Sequence, residues 1–517
     1  MSAPADPALL GDVGDDGPAM FEPGDVRLAL HGPDTLRPWN ELGVLIAADL
    51  HVAGSLARAG TDQHPDLLLA AALAVRALRL GHVCVDLSTV ATTVTTDLEP
   101  ASDLSNLPWP EPERWVESVA SSAVVALGDD DPAEEPLRLV GPRLYLDRYW
   151  HQERQVAADL RARSLLDAPL VDGEALGAGL DALFGVAAGE GTADAEGGRG
   201  DPGEATNLQR LAAANAVASH LSLVAGGPGT GKTTTVARIL ALLELQAEAL
   251  GQPPPRVALA APTGKAAARL QEAVHTEAGR LPLPEPLRQR LLATEASTLH
   301  RLLGWRPGSQ SRFRHDRRNR LPHTVVIVDE TSMLSLSLMA KLVDAVRPQA
   351  RLVLVGDPQQ LASVEAGAVL GDIVGPVETG LRMTGAARAR LARLTGQPVP
   401  AIDPPAGTSV GDGIVVLRHV HRFGGGIAAL ADAVRAGDAD TAVGLLGDHR
   451  HADDVRWLDV DITDPVGAGL AAVASDVTRA GGALPAAAQS GDGAAALAAL
   501  ASTRILCPHR RGPAGVE

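Results

Sequence analysis

Several short stretches of this sequence carry residue types that can do phosphate chemistry. In VAGGPGTGKTTTVARIL, the residues Gly226, Gly227, Pro228, Gly229, Thr230, Gly231, Lys232, Thr233 and Thr234 lie between two apolar segments. The first is the run LSLVAG and the second is rich in Ala, Ile and Leu. The spacing G-x-x-x-x-G-K-T is that of a loop that wraps phosphates. Its glycines let successive backbone N–H groups turn toward one anion, and the helix that follows adds positive potential at its N-terminus. Lys232 then reaches the β- and γ-phosphates, and the Thr233 hydroxyl ligates Mg²⁺. An ordinary glycine-rich turn has no need of that lysine. The chain holds only three lysines, Lys232, Lys265 and Lys341, against 42 arginines, so a lysine kept here is informative.

A phosphate loop of this kind works with a carboxylate on a neighbouring strand. TVVIVDE supplies one: the apolar residues Val325 to Val328 deliver Asp329 and Glu330 to a strand's carboxyl end, where α/β proteins bind ligands. Asp329 is placed to hold Mg²⁺ through water, and Glu330 to polarise an attacking water as general base. A third run, LVLVGDPQQLASVEAG, ends a strand at Gly356-Asp357 and follows it with Gln359 and Gln360. A neutral amide such as Gln360 can sense a γ-phosphate without demanding a charge.

A fourth stretch is electrostatic. Residues 301–320 hold Arg301, Arg306, Arg312, Arg314, Arg317, Arg318 and Arg320 against Asp316, a local net of +6 in a chain whose net charge is -18. Trp305 and Phe313 interleave with them. Charge runs are usually solvated loops. Here the arginines with aromatic rings between them suit a hairpin that offers phosphate contacts and base stacking to single-stranded DNA, with Arg312, Arg314, Arg317 and Arg318 as its contacts. His300 and His315 have no second pair of ligands nearby and are not read as a metal site.

The elements that must position these residues are legible in outline. Beyond residue 206 short aliphatic strands alternate with helices (LSLVAG, RVALAAP, TVVIVDE, ARLVLVGD), the pattern of a parallel sheet with crossover helices. GIVVL after Asp412 reads as the opening strand of a second α/β unit. Upstream, ELGVLIAADLHVAGSLARAG and DLLLAAALAVRALRLGHVCVDLS carry apolar residues at helical spacing, with Gly81 as a stop. PLRLVGPRLYLDRYW reads as a hairpin turning at Gly141-Pro142. Ala187–Thr206 has six glycines and no apolar side chain larger than Ala, so it is a linker. The expected organisation is a disordered tail over 1–24, a small mostly helical domain over 25–165, a connector over 166–206, a first α/β domain over 207–410 with a basic insertion near 305–322, and the start of a second over 411–517. The Ala/Gly-rich stretch 464–503 gives weak signals.

Length and composition narrow the function class. The 517 residues allow about three domains. A net charge of -18 excludes a uniformly basic nucleic-acid coat but leaves room for local basic grooves. Cys84 and Cys507 form neither a ligand spacing nor a disulfide framework, which suits a reducing cytoplasm. No basic, apolar leader opens the chain and no run approaches a membrane span.

In this order, the P-loop, Asp329-Glu330 and the G-D-x-x-Q-L run resemble superfamily 1 helicases. Gln209 in NLQRLAAANA is similar to their adenine-reading glutamine. APTGKAAARL, with Pro262, Thr263 and Lys265, resembles the motif that grips the single-strand backbone. ASTLHRLLG, with Thr298 and His300, resembles the next DNA-contacting motif. Arg422 in HVHRFGGGI resembles the arginine that reaches the γ-phosphate from the second motor domain. The resemblance is closer still to the RecD family, the alpha subunits of exodeoxyribonuclease V. It is carried by GHVCVDLS, PRLYLDRYWHQER, GDPQQLASVEAGAVLGDI, ARLTGQPVP and ILCPHRRGPAGV, over roughly residues 40–180 and 207–517.

That resemblance implies an α/β fold with a RecA-like P-loop ATPase domain, and an ATP- and Mg²⁺-dependent motor that moves 5′ to 3′ on single-stranded DNA from duplex ends. It implies a cytoplasmic heterotrimer with a RecB-like nuclease-helicase and a RecC-like scaffold subunit, acting in double-strand-break repair, with the N-terminal domain docked on the scaffold. The family's T-x-H-K-x-Q-G and T-R-A motifs are missing in their expected places, and 95 residues follow Arg422. The second RecA-like domain is therefore expected to be incomplete and the chain truncated. The alternatives are a non-catalytic, ATP-binding assembly subunit and a different superfamily 1 helicase.

Overall fold

The computed structural model describes residues 24–60, 64–96, 104–129, 134–185, 206–306, 308, 312–360, 366–375, 381–404, 410–418, 425–448, 454–458, 460, 468–507 and 515. The chain forms two compact units, 1–420 and 421–517. The expected tail and most of the glycine-rich linker lie outside the described residues.

In the N-terminal part, helices Ala47–Gly60 and Pro65–Arg79 pack together as their periodicity requires. Proline opens the second, where its missing N–H costs nothing, and Gly81, at φ +87°, follows its end in a conformation that favours glycine. The expected hairpin forms between β3 (Leu137–Val140) and β4 (Arg143–Leu146), with Val140 opposite Arg143 across Gly141. It is the centre of more structure than the sequence suggested. β1 (Cys84–Asp86) adds to β4 antiparallel and β2 (Val125–Leu127) to β3 parallel, giving the order β1-β4-β3-β2. The domain is mostly helical, as expected, with its helices set on a four-stranded sheet. Three-residue strands are too short for alternation to announce them.

DRYW, read with the hairpin, instead opens a helix, Asp147–Ser164, and this helix bridges to the next domain. At its start Asp147 pairs with the fully buried Arg138 at 2.7 Å, and the guanidinium stacks 4.0 Å over the Trp150 ring. Further on, Val156 and Leu160 are buried in the core of the motor sheet. Arg163 donates to the carbonyls of Val346 at 2.7 Å and Arg347 at 2.8 Å.

The motor sheet is six-stranded and wholly parallel. Its strands are β5 (Leu221–Gly226), β6 (Val257–Ala261), β7 (Ala296–Thr298), β8 (Val325–Val328), β9 (Arg351–Gly356) and β12 (Ile414–Leu417), in the order β12-β5-β9-β8-β6-β7. β10 (Leu381–Arg382) and β11 (Ala401–Ile402) form a separate parallel pair. Along β8, Val325 and Ile327 enter the core on one face while Val326 and Val328 enter the core on the other. Burial on both faces is why these strands read as unbroken aliphatic runs.

One boundary needs correction. Ile414–Leu417, expected to open a second α/β unit, is the edge strand of the first sheet, with Ile414 opposite Leu223 and Leu417 opposite Gly226. The first motor domain therefore runs past 410. A short apolar strand declares that it needs a partner but not which sheet supplies it. The described residues of 421–517 hold four helices, Gly425–Ala436, Ala439–Gly447, Ala468–Gln489 and Gly493–Ser502. The Ala/Gly-rich stretch is helical, as alanine favours. Among the described residues no helix is long and apolar enough to cross a membrane.

Candidate nucleotide-binding and active site

β5 delivers Gly226 to the carboxyl edge of the sheet, and the chain turns through Gly227–Gly231 into the helix Lys232–Ala249. Gly229 and Gly231 sit at φ +80° and +81°, where side chains are strained. The loop is fastened internally. Thr230 Oγ1 donates to the Gly227 carbonyl at 2.9 Å, and Thr235 Oγ1 to that of Gly231 at 2.9 Å. Lys232 Nζ donates to the carbonyls of Gly226 and Gly227, at 2.6 and 2.8 Å, so the ammonium lies inside the cradle. Thr233 and Thr234 follow, half-buried, in the first helical turn, and Pro228 is exposed. A Cβ on Gly226 would meet Thr230 Oγ1 at 2.7 Å and the Leu417 carbonyl at 2.9 Å, so the loop is packed to glycine size against the edge strand.

Gln209 lies in the helix Leu208–Ala218, which Asn207 caps by accepting from the Arg210 N–H. Its Nε2 donates to the Thr230 carbonyl at 3.0 Å, and a Cβ on Gly231 would strike that nitrogen at 2.2 Å. The expected base-reading residue therefore touches the phosphate loop itself.

Asp329 and Glu330 leave β8 at the same edge. Asp329 is 7% exposed. Burial, with the Glu330 charge beside it, pushes its carboxyl up to about 6, against the Glu330 N–H that it accepts at 2.9 Å and the Lys232 charge. Among the described residues Glu330 is the one non-glycine with positive φ, 52°. Such strain, of order 1–3 kcal/mol, persists only where surrounding structure imposes it, and it gathers at functional sites. Burial lowers the Lys232 ammonium, while Asp357, Asp329 and Glu330 hold it up.

The expectation of adjacent strands is corrected: β9 intervenes between β5 and β8. Its end carries Asp357, buried, and Gln360, exposed. Gln360 Oε1 accepts from Ser332 Oγ at 3.0 Å, so it is tied to the segment that follows Glu330. Sequence reasoning did not assign Asp357 or Ser332 a role. The signal for Asp357 was a carboxylate at a strand end, whereas nothing in the sequence marked Ser332. Arg422 lies outside the described residues.

The expected DNA contacts stand farther along the same edge. β6 pairs β7 with Ala261 opposite Thr298, which puts Pro262, Thr263 and Lys265 beside Thr298 and His300. Thr263 caps Gly264–Arg280 by accepting from the Ala266 N–H, and Thr298 caps Leu299–Leu303 by accepting from that of Arg301. Lys265 and His300 are exposed, beside a recess of about 590 Å³ lined by Gly264, Gln271, His275, Thr298 and Arg301.

In the basic stretch an antiparallel bridge joins Trp305 and Phe313. Trp305 is 46% exposed, while Phe313 packs on the motor core. The arginines divide into two groups. Arg312, Arg314 and Arg318 are exposed. Arg317 is exposed as well but pairs with Asp344 at 2.8 Å and Asp159 at 3.0 Å, and the half-buried Arg320 donates to the Val346 carbonyl at 2.6 Å. Arg317, read as a DNA contact, is therefore held by two carboxylates of the fold.

Residues 209–366 match the family described as AAA domain, and residues 41–145 match the family described as RecBCD enzyme subunit RecD, N-terminal domain. The RecBCD enzyme subunit RecD of Mycolicibacterium smegmatis is 46% identical over 479 residues, covering 92% of this chain and 71% of that protein. This chain belongs to the RecD family. The RecD subunit of Mycobacterium tuberculosis is 44% identical over 497 residues, 95% of this chain and 72% of its own length. The ATP-dependent RecD2 DNA helicase of Deinococcus radiodurans is 44% identical over 155 residues, 30% of this chain and 18% of its own. The RecD N-terminal match ends inside β4, just before the bridging helix, and the AAA match opens at Gln209.

Proposed function

We propose that this RecD-family chain is an ATP-dependent DNA helicase subunit. It translocates 5′ to 3′ on single-stranded DNA from duplex ends, within a heterotrimer with RecB-like and RecC-like partners. The observation that carries the reading is the convergence of Lys232, Asp329, Glu330 and Gln360 at one sheet edge of a chain from this family. The cradle suits a nucleotide polyphosphate: its backbone is sized to glycine, and its lysine bonds to backbone carbonyls that a phosphate can displace. The donors also suit Mg²⁺, a hard cation that usually takes one or two protein oxygens plus phosphates. Thr233 and Asp329 would hold it.

Within that reading the chain's own residues divide the work. Lys232 and the loop N–H groups bind the phosphates, and Gln209 positions the base. Bound Mg²⁺ neutralises charge on the phosphates. Glu330 orients the attacking water and takes its proton, and Gln360 senses the γ-phosphate from the adjacent strand. Lys265, Thr263, Thr298 and the exposed arginines of the basic stretch grip the DNA backbone, with Trp305 available for base stacking. The test is phosphate release from Mg-ATP with and without single-stranded DNA, for this chain together with its partner subunits, beside Lys232→Ala. A DNA-stimulated rate that the substitution lowers to the share of the RecB-like partner is expected, and equal rates for the two proteins would refute the reading.

A further inference from the structure

The N-terminal domain does not touch the motor at random. Several of its contacts fall on the segments that follow Glu330 and Gln360. After Glu330 the chain makes a 3₁₀ turn, Thr331–Met333, and enters the helix Leu336–Ala345. On that helix's first turn, Ser337 Oγ donates to Gln152 Oε1 at 2.8 Å, and Gln152 is 9% exposed on the bridging helix. One turn on, Gln155 Nε2 donates to the Ala340 carbonyl at 3.2 Å. After Gln360, the chain returns to the described region at Ala366 and Gly367. The Gly367 N–H donates at 2.9 Å to the carbonyl of Gly81, the turn that ends the helix Pro65–Arg79. Gly367 sits at φ +103°, and a Cβ there would lie 2.9 Å from Leu336 Cβ. The Leu336 N–H in turn donates to the Ala366 carbonyl at 3.0 Å.

These bonds close a frame. The segment behind Glu330 is held by Gln152 and by Ala366, and the segment behind Gln360 is held by Gly81 and Leu336. Ser332 to Gln360 links the two at the site itself. Inside the frame, Glu330 keeps its left-handed backbone, which needs outside support to persist. The phosphate loop is fastened separately: Gln209 donates to Thr230, and Thr230 and Lys232 donate to the Gly226–Gly227 end of β5.

We propose that the N-terminal domain braces the catalytic edge of the motor and that Gln152 is a positioning residue for Glu330 and Gln360, acting through its bond to Ser337. The inference rests on the nucleotide reading given above. The brace acts on the residues that meet the γ-phosphate and not on those that bind the rest of the nucleotide. A protein seated on the N-terminal domain is then felt at Glu330 through the Gln152–Ser337 bond and the backbone that joins Ser337 to Glu330, with no contact to nucleotide or DNA.

The test compares the affinity of the whole chain for Mg-ADP with that for Mg-ADP plus beryllium fluoride, a γ-phosphate mimic, so it needs no turnover. In Gln152→Ala the Mg-ADP affinity should stay within about twofold of wild type. The extra affinity conferred by beryllium fluoride should fall about fivefold, the size expected for one neutral hydrogen bond. Ser337→Ala should show the same loss, and the double variant no more than either alone. Gln152→Glu, which keeps the accepting oxygen, should restore it. Unchanged beryllium fluoride enhancement in Gln152→Ala overturns the brace. So does an equal loss of Mg-ADP and mimic binding, which is the signature of general loosening. Failure of the wild-type chain to bind Mg-ADP at all would instead sink the nucleotide reading itself.

Discussion

Gln209 and Thr230 are joined by a hydrogen bond of 3.0 Å, side-chain amide to backbone carbonyl, across the phosphate loop. A glutamine that only read a base would leave the loop alone. This one fixes the turn that sets Gly231 at φ +81°. Gln209→Ala should therefore weaken binding of inorganic triphosphate, which has no base, as well as of ATP. Gly231→Ala should be worse, more than tenfold on ATP. It adds left-handed strain of about 1–2 kcal/mol, and its methyl group would meet Gln209 Nε2 at 2.2 Å. Calorimetric titration of both ligands checks this, and an unchanged triphosphate affinity in Gln209→Ala would confine the residue to base reading.

Lys232→Ala should abolish measurable ATP binding while the protein stays folded. Its ammonium bonds to two loop carbonyls and faces Asp357, Asp329 and Glu330. Lys232→Arg should rescue poorly, because a planar fork cannot replace a compact charge held between two carbonyls. Equal nucleotide affinity in wild type and Lys232→Ala would remove the phosphate-cradle assignment.

The P-loop, Asp329-Glu330 and Gln360 were legible because each is local: an aliphatic run, then a polar residue where the strand must end. The four inner strands were legible for the same reason, being buried on both faces. What escaped depends on partners distant in sequence. Ile414–Leu417 reads as a strand anywhere, and only the open edge of β5 decides its sheet. β9 stands between the strands of Lys232 and Asp329 because of crossovers that no local pattern records. Arg317 and Arg318 are neighbours of one type in one basic run. The carboxylates of Asp159 and Asp344, far apart in the chain, are what separate their roles.

That separation can be measured. Replacing Arg312, Arg314 and Arg318 together should lower the log–log salt slope of single-strand binding by about 2, at roughly 0.7 per phosphate contact, with little change in thermal stability. Arg317→Ala should do the reverse. It leaves the slope nearly unchanged and lowers the melting temperature, since it strands Asp159 and Asp344 beside each other. Burial and that neighbour already push the Asp159 carboxyl up, against the Arg317 charge. An unchanged slope in the triple variant would make this stretch a solvated loop.

The last prediction concerns what the fold gives up to keep Asp329 ready. A free aspartate titrates near ~3.9, and burial raises this one to about 6. The folded state thus holds the proton more tightly than the unfolded chain does. The stability this confers is fully present below about pH 4 and is lost as pH rises through about 6. At pH 8 the ionised carboxylate therefore destabilises the metal-free fold, by roughly 2–3 kcal/mol at about 1.4 kcal/mol per unit. Asp329→Asn keeps an oxygen to accept the Glu330 N–H and removes the charge. In chelator it should melt several degrees above wild type at pH 8, and the gap should close as pH falls toward 4. Mg-ATP should then stabilise wild type more than Asp329→Asn, because a cation beside the carboxylate turns its charge from a cost into a bond. Thermal melts across pH, with and without Mg-ATP, decide it. An Asp329→Asn protein that melts below wild type at pH 8 in chelator would mean that the ionised carboxylate already has its partner within the fold, and that Asp329 is a structural ion rather than one held ready for a metal.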